Sequence, residues 1–253
     1  MHLSTKGWPD GFGRRVLSEV DSTNAEAARI AATLAGPEWI LALRQTAGRG
    51  RRGRVWQAPA GNFSATLVLR PTEALDRVAL RSFVAALALD EAFASATGRP
   101  QSFALKWPND VLLNGGKVAG ILLETISGTA GLSHLCIGIG VNLIASPGRD
   151  EVEPGSFAPV NLQSETGAHV TPEEFLDLLA NAYAHWEHQF TTFGFSPIKE
   201  AWLARAARLG EVITAKTIRY THVGTFETLD DDGNLILRTA QERLVIPAAE
   251  VFF

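Results

Sequence analysis

The segment Gly-Arg-Gly-Arg-Arg-Gly-Arg-Val-Trp at positions 48–56 concentrates residues that can bind anions. Its four arginines carry permanently charged, planar guanidinium groups that match the geometry of carboxylates and phosphates. Its three glycines let the backbone turn tightly and approach a ligand closely. We predict that this segment, called the arginine loop below, is mobile and closes over an anion.

The glycines of the arginine loop, Gly48, Gly50 and Gly53, also match the G-x-G-x-x-G spacing of dinucleotide sites. Such a site needs a helix directly after the glycines, with its N-terminus facing the pyrophosphate. The following stretch, 55–61, contains Pro59 and does not begin a helix. We therefore reject the dinucleotide site, and a solvated basic loop remains the alternative.

A second motif, Lys106-Trp-Pro-Asn-Asp110, comes shortly before Lys117. The turn Asn114-Gly115-Gly116 predicts a hairpin that places Lys117 at the start of a strand. A lysine held there can meet a phosphoryl group or a carboxylate, with Asp110 at the start of the paired strand. From these residues alone, an ordinary hairpin with Lys117 as an exposed edge charge is the favoured interpretation.

The segment Gly138-Ile-Gly-Val-Asn-Leu143 places two glycines inside a predicted strand. Glycine within a strand weakens it and often marks the close approach of a ligand or another backbone, with a β-bulge as the alternative. Asn142 offers both donors and an acceptor, which are sufficient to read a base edge or a ureido-like group.

The trio Ser22-Thr23-Asn24 precedes an alanine-rich stretch and is interpreted most simply as a helix cap. The same hydroxyl groups can also face a ligand from the helix N-terminus. One residue of the trio can cap the helix while another binds, so both interpretations stay open.

Hydrophobic patterning predicts the elements that position these motifs. A helix over 23–36 begins with a capping box at Thr23 and Glu26. The other predicted helices cover 75–96, with a stop at Gly98, the stretch after the Thr171 cap, and 196–210. Strands are predicted at 39–43, 63–69, 102–106, 110–113, 118–124 and 132–143.

Composition shifts near residues 209–211, which we take as a domain boundary between 1–209 and 210–253. The second domain holds four or five short strands and a turn at 231–234, which predicts a small SH3-like β-barrel. Residues 145–168 are rich in Pro, Gly, Ser and acidic groups and predict a long loop. The part of this loop over 145–158 matches no motif with a known role.

Composition limits the class of protein. The 253 residues are 46% hydrophobic and 20% charged with a net charge of −4, which argues against a general nucleic-acid binder. The single cysteine, Cys136, indicates a reducing compartment and is typical of a small core residue. Met1–Asp10 lacks the apolar core of a secretory signal, and no run is long enough to span a bilayer. We expect a cytoplasmic protein without a metal site at His185 and His188.

Five motifs occur in a fixed order: 19–24, 45–56, 106–110, 117–124 and 138–143. Together they resemble the biotin protein ligases, also called biotin–[acetyl-CoA carboxylase] ligases, over about residues 14–253. The resemblance implies an α+β fold, in which a mixed or antiparallel sheet packs with helices as in class II synthetases, followed by the SH3-like barrel. About twenty residues precede Ser22, which we expect to be too few for the DNA-binding domain of some family members.

The resemblance implies a reaction in two steps. The biotin carboxylate attacks the α-phosphate of MgATP, which gives biotinyl-5′-AMP and pyrophosphate. A lysine amine of a biotin carboxyl carrier protein or domain then attacks the mixed anhydride, and AMP leaves. The resemblance assigns no residue to Mg²⁺, implies no nucleic-acid or membrane partner, and leaves a homodimer open.

The resemblance also assigns roles to residues. Lys117 is expected to be the main catalytic cation, Arg51 to bind the carboxylate and phosphate, and Asp110 to orient or deprotonate the incoming amine. Lys117 and Arg51 are each expected to contact both biotin and ATP. The remaining biotin contacts are Ser22, Thr23, Asn24, Gln45, Arg49, Gly50, Gly120, Gly138 and Gly140. The remaining ATP contacts are Arg54, Trp56, Asn109 and Asn142.

Two other functions remain as alternatives. A lipoate or octanoate ligase or transferase has a similar scaffold but needs a deep apolar slot for a flexible chain. A nucleic-acid-binding module would use the arginine loop and would lose affinity steeply with salt.

Overall fold

A computed structural model describes residues 7–128, 131–152 and 157–253. The interpretation of Met1–Asp10 therefore lies mostly outside the described residues, as does the middle of the loop predicted over 145–168. Within the described ranges, the helices are α1 (Thr23–Ile30), α2 (Leu75–Ala79), α3 (Arg81–Thr97), α4 (Leu162–Thr166), α5 (Pro172–Phe193) and α6 (Phe195–Leu203). No helix in these ranges is long and apolar enough to cross a bilayer.

The larger sheet contains seven strands among the described residues. In chain order they are β1 (Gly13–Leu17), β2 (Glu38–Ala42), β3 (Phe63–Leu69), β4 (Phe103–Lys106), β5 (Asp110–Leu113), β6 (Gly116–Gly128) and β7 (Gly131–Val141). Their order across the sheet is β1-β2-β3-β7-β6-β5-β4. Only β1 and β2 run parallel, and every other neighbouring pair is antiparallel. The predicted mixed sheet is therefore confirmed.

The two faces of this sheet have different roles. Along β3 and β7, alternate side chains such as Leu67 and Ile137 join the main core, which α3 and α5 cover. The intervening positions Val68 and Cys136 face α1 and form a small second core with Ala27. The face on the α1 side also carries Gly138 and Gly140, because they share the alternation of Cys136, and it is the face on which the candidate site lies.

A second sheet follows, built from β8 (Val212–Lys216), β9 (Thr221–Leu229), β10 (Leu235–Arg238), β11 (Arg243–Ile246) and β12 (Glu250–Phe252). Its order is β11-β10-β9-β8-β12, and all neighbours are antiparallel. The predicted SH3-like element and its turn at 231–234 are confirmed. The indole Nε1 of Trp107 donates to the carbonyl of Gly233 in that turn at 3.0 Å, which docks the second sheet on the first.

Three helix boundaries differ from the predictions. The capping box at Thr23 is wrong, because Ser22 takes the N-cap position without a side-chain cap bond and Glu26 pairs with Arg29 instead. The first helix ends at Ile30 and continues only as a 3₁₀ turn to residue 33. The helix predicted over 75–96 is two helices, separated at Leu80.

The helix predicted over 196–210 is also too long. It ends at Leu203, because the backbone of Arg205 and Ala207 pairs with Leu105 of β4 at 2.8 Å in both hydrogen bonds. The Arg205 side chain reinforces this turn through Asp90. The edge strand β1 and the short helix α4 were not predicted.

Candidate active site

A cavity of about 420 Å³ opens on the face of the large sheet that carries Gly138 and Gly140. Its volume suits a small-molecule ligand or cofactor. The arginine loop covers one side, and β12 of the second sheet closes another. Every residue that the sequence motifs nominated lines this one cavity: Ser22, Thr23, Asn24, Gln45, Arg49, Gly50, Arg51, Arg54, Trp56, Asn109, Asp110, Lys117, Gly120, Gly138, Gly140 and Asn142.

Lys117 lies at the centre of the charged part of the cavity. The predicted hairpin turn is present, with positive φ at Asn114 and Gly115, and it places Lys117 as the second residue of β6. The ammonium nitrogen Nζ of Lys117 lies 2.7 Å from Oδ1 of Asp110, the first residue of β5. The Lys117 side chain is 32% exposed and the Asp110 side chain 12%. Lys117 is therefore a paired cation at the cavity wall, and its interpretation as an exposed edge charge is wrong.

A second lysine, which the sequence interpretation did not select, reaches the same carboxylate. Lys106 faces Asp110 across the β4–β5 pair, and its Nζ lies 3.4 Å from Oδ2. Burial alone would raise the pKa of Asp110, but the ammonium groups of Lys117 and Lys106 outweigh burial and hold that pKa below its ordinary value. Burial lowers the pKa of Lys106, and Asp110 opposes the shift.

The backbone of the arginine loop forms a narrow hairpin. The amide of Trp56 donates to the carbonyl of Gly48 at 2.9 Å, and the amide of Gly50 donates to the carbonyl of Arg54 at 2.8 Å. A single 3₁₀ turn, Arg51–Gly53, forms the tip. No helix follows the glycines, so the loop lacks the helix N-terminus that a dinucleotide site needs.

Arg51 is the arginine of the loop that points to the motif at 106–110. Its Nη1 donates to Oδ1 of Asn109 at 3.0 Å, beside the Asp110 carboxylate. Burial lowers the pKa of Arg51, and the nearby charge of Asp110 opposes that shift. An incoming carboxylate or phosphate would therefore meet a guanidinium group that is already partly removed from water.

Two carboxylates hold the other arginines of the loop. Arg49 lies 3.2 Å from Oε2 of Glu124 on β6. Arg52 and Arg54 both reach Glu250 on β12, each with a nitrogen 3.1 Å from Oε2. The loop is thereby tied to both sheets, and the positive φ of 58° at Arg52 helps to turn its tip.

A polar wall lines the cavity beside α1. The backbone amide and the hydroxyl of Thr23 lie 2.7 and 3.1 Å from Oε1 of Gln45. The amide of Asn24 is oriented from both ends, because its Nδ2 donates to Glu124 at 2.7 Å and its Oδ1 accepts from the buried Thr66 hydroxyl at 2.6 Å. This wall presents fixed donors and acceptors rather than an apolar surface.

Gly138 and Gly140 lie where other groups touch the sheet. A Cβ built at Gly138 would lie 2.4 Å from Oδ1 of Asn24, and one at Gly140 would lie 2.3 Å from the Trp56 ring. The pairing of β6 with β7 is regular at both positions, so the β-bulge alternative is wrong. The close approach expected from these glycines is present, and in this structure it is made by an amide and an indole.

The resemblance implies that Gly140 contacts biotin, so Gly140→Ala is expected to weaken biotin binding at least about tenfold, or roughly 1.4 kcal/mol, because the added methyl group displaces Trp56 from the cavity wall. Isothermal titration with biotin measures the change. Gly36→Ala is the matched control, because a Cβ built at Gly36 has no atom within 4 Å. Equal affinity in both variants would contradict the role assigned to Gly140.

Asn142 offers a buried acceptor in the cavity wall, next to β6, because its backbone amide donates to the carbonyl of Val118 at 2.9 Å. Its Nδ2 donates to the carbonyl of Val160 at 3.0 Å, whereas its Oδ1 is buried and has no hydrogen-bond partner among the described residues. A buried acceptor without a partner is costly, so this atom is suited to receive a donor from a ligand.

The segment of undefined role, 145–158, contributes to the site through its described parts. Pro147, Glu151, Val152 and Phe157 line the cavity. Just after the gap at 153–156, the chain pairs with β6, since the amide of Lys117 donates to the carbonyl of residue 158 at 2.8 Å. The sequence interpretation missed this contribution because the segment has no local pattern.

The sequence offered two weaker candidates, the pair His185 and His188 and the thiol of Cys136. Among the described residues, no group of three His, Cys, Asp or Glu side chains lies close enough together to hold a metal ion. Cys136 is buried, and burial raises the pKa of its thiol to about 12. A thiol with that pKa is not a thiolate nucleophile at neutral pH.

The fold and the cavity define a class of protein. The sequence model of the biotin/lipoate A/B protein ligase family matches residues 15–142. The chain belongs to this family. A second model, the biotin protein ligase C terminal domain, matches residues 209–253. The family resemblance inferred from the motifs is therefore confirmed.

Individual proteins of this family show how similar the chain is to biotin ligases. The chain is 58% identical to the biotin–[acetyl-CoA-carboxylase] ligase of Paracoccus denitrificans over 94% of its own length and 99% of that protein. It is 30% identical to the bifunctional ligase/repressor BirA of Bacillus subtilis, over 93% of this chain and 73% of BirA. Among solved structures, the biotin protein ligase from Aquifex aeolicus in complex with biotin and ATP has a TM-score of 0.82 at 27% identity, covering 94% of this chain and 97% of that one.

Proposed function

We propose that this protein is a biotin–protein ligase. It joins biotin and ATP into biotinyl-5′-AMP with release of pyrophosphate, and it then transfers biotin to a lysine of a carrier protein. The observation that carries this proposal is the convergence of the arginine loop and Lys117 on one cavity with a polar wall. Both cationic elements are needed because the first step brings together a carboxylate and a triphosphate.

Lys117 and Arg51 supply the positive charge in the first step. The carboxylate oxygen of biotin attacks the α-phosphorus, and the bond to the departing pyrophosphate breaks. Negative charge spreads over the α-phosphate oxygens, where a preorganised ammonium and guanidinium group stabilise it. The arginine loop excludes water, which would otherwise hydrolyse the mixed anhydride.

The polar wall is suited to the ureido ring of biotin. A ureido group presents one carbonyl acceptor and two N–H donors, and Thr23, Asn24 and Gln45 offer hydroxyl and amide partners for them. A lipoyl or octanoyl chain has no such groups and would leave this wall without partners. This contrast favours biotin over the lipoate alternative.

The part of the cavity beside Asn142 is suited to the nucleotide. The buried Oδ1 of Asn142 can accept a hydrogen bond from the exocyclic amine of adenine. Trp56, Asn109 and Arg54 line the same cavity, and Nζ of Lys117 lies 5.7 Å from the centroid of the Trp56 ring. Mg²⁺ would arrive with ATP, because this ion prefers phosphate oxygens and water to a cage of protein ligands.

Asp110 acts in the second step. The lysine nitrogen of the carrier attacks the carbonyl of the mixed anhydride, AMP leaves, and the amine loses a proton. Because two lysines lower its pKa, Asp110 is a weak base, and orientation of the amine fits this carboxylate better than deprotonation.

The proposed partner is a biotin carboxyl carrier protein or domain, as the name of the Paracoccus relative suggests. We propose a cytoplasmic location for this protein. The use of MgATP and the free cysteine Cys136 both fit that compartment. A homodimer and the absence of a nucleic-acid partner stay predictions.

The test of the proposed function is ATP–pyrophosphate exchange measured with and without biotin. We expect exchange that depends on biotin and that lipoate or octanoate does not support. Isothermal titration provides the matching binding measurement. Tight binding of lipoate without binding of biotin would overturn the proposal in favour of the lipoate alternative.

A further inference from the structure

The carboxylate of Asp110 is shared between two lysines. Its Oδ1 lies 2.7 Å from Nζ of Lys117, and its Oδ2 lies 3.4 Å from Nζ of Lys106. The two lysines differ in exposure, since the Lys117 side chain is 32% exposed and the Lys106 side chain only 6%. The cluster therefore has a net charge of about +1, of which Lys117 is the accessible part.

In the proposed function, Lys117 binds the anionic groups of the ligands in addition to Asp110. When biotin and ATP enter, their carboxylate and α-phosphate compete with Asp110 for the same ammonium group. Asp110 is mostly buried, and a buried carboxylate that loses its partner pays a desolvation penalty. With Lys117 as the sole partner of Asp110, ligand binding would have to overcome that penalty.

Lys106 is placed to remove this conflict. It lies opposite Asp110 in the β4–β5 pair, so its backbone holds it near the carboxylate whether or not a ligand is present. The Phe157 ring packs over its ammonium group, with Nζ 4.8 Å from the ring centroid. These contacts keep Lys106 with Asp110, whereas the side chain of Lys117 is open to the cavity.

We infer that Lys106 is a positioning residue that stays with Asp110 as its counter-ion and thereby releases Lys117 to the ligand. The inference rests on the proposed function and deepens it. Lys106 acts through Asp110, and its contribution should therefore disappear when the carboxylate is removed. The alternative is that Lys106 contacts the triphosphate directly, because it also borders the cavity.

A double-mutant cycle separates the two roles. Lys106→Met removes the charge with little change in length, and Asp110→Asn removes the competing carboxylate. Biotin-dependent ATP–pyrophosphate exchange is measured for wild type, K106M, D110N and the double variant. Exchange reports only adenylate formation, so it is independent of the role of Asp110 in transfer to the carrier.

We expect K106M to lower the exchange rate at least about thirtyfold on its own and less than about threefold in the D110N background, a coupling of roughly tenfold. Equal losses in both backgrounds would mean that Lys106 binds the ligand or only supports the fold, and would overturn the inference. If K106M leaves the exchange rate unchanged in both backgrounds, the inference is overturned as well.

Two controls keep the result interpretable. Lys106→Gln keeps a hydrogen-bond donor without the charge and provides a second, independent cycle, so the conclusion does not depend on the folding of one variant. Thermal unfolding and biotin titration show that each variant is folded. Absence of biotin-dependent exchange in wild type would overturn the proposed function together with this inference, whereas active wild type without coupling overturns the inference alone.

Discussion

Lys117→Ala is expected to lower the rate of adenylate formation at least about a thousandfold, or roughly 4 kcal/mol of transition-state stabilisation. The ammonium group is lost from the position where carboxylate and phosphate charge meet. Asp110 keeps Lys106 as a partner at 3.4 Å, so the net charge of this cluster falls from about +1 to about zero. Biotin-dependent ATP–pyrophosphate exchange measures the effect.

The matched control for this variant is Lys199→Ala. Lys199 lies on α6 and pairs with the exposed Asp231, away from the residues that line the cavity. This substitution removes the same charge outside the cavity, so the exchange rate of the variant should equal that of wild type. Near-normal exchange in Lys117→Ala would refute the catalytic assignment of Lys117.

Arg51→Gly is expected to release biotinyl-5′-AMP into solvent, with a dissociation rate at least about a hundredfold above that of wild type, or roughly 2.7 kcal/mol. Arg51 is the loop arginine that faces Asn109 and the Asp110 carboxylate, so its loss removes the guanidinium group that closes on the acyl phosphate. The extra glycine also makes the closed loop entropically less favourable. Chromatography of labelled adenylate after rapid gel filtration measures the released fraction.

Arg52→Gly separates these two causes. It adds the same glycine to the tip of the loop, at a residue whose φ of 58° glycine adopts without strain. Arg52 points to Glu250 rather than to Asn109, and Arg54 retains that carboxylate. We expect a much smaller release of adenylate than from Arg51→Gly. Equal release from both variants would show that loop flexibility alone, and not the Arg51 charge, holds the intermediate.

Elements with strong local signals were predictable from the sequence. The bounds of β3 and β5 match the predictions, because short, mostly apolar segments flanked by turn residues define them. Thr171 and Glu174 form the predicted capping box, with hydrogen bonds of 3.2 and 2.9 Å in opposite directions. Gly98 ends α3 in a left-handed conformation, as its position after the periodic segment indicated.

Elements that depend on distant partners were not predictable. The strand β1 contains two arginines and is mostly exposed, so it has no hydrophobic alternation, and only its pairing with β2 makes it a strand. The end of α6 is set by backbone pairing of Arg205 with β4, about a hundred residues earlier in the chain. No window of local sequence contains such contacts.

The residues of the candidate site also fall into a predictable and an unpredictable group. The residues to which the motifs assigned a role line the cavity. Thr66 and Glu250 lie outside every motif, and Lys106 and Glu124 lie inside motifs but were given no role. All four act through pairings that form only in the folded chain. Thr66 alone had a local signal, because Ser64 and Thr66 alternate with apolar residues in a strand that is otherwise hydrophobic. A polar stripe on a buried strand indicates a face that binds something other than the core.

The shared carboxylate of Glu250 has a thermodynamic consequence for the whole chain. Because Arg52 and Arg54 meet it on the second sheet, the closed state of the loop and the native state of that sheet are linked equilibria. A nucleotide or acyl-adenylate that draws the loop shut should therefore raise the melting temperature of the second sheet, of which only β12 borders the cavity among the described residues. By reciprocity, a substitution that removes the contact between Glu250 and the loop should weaken the binding of the same ligand.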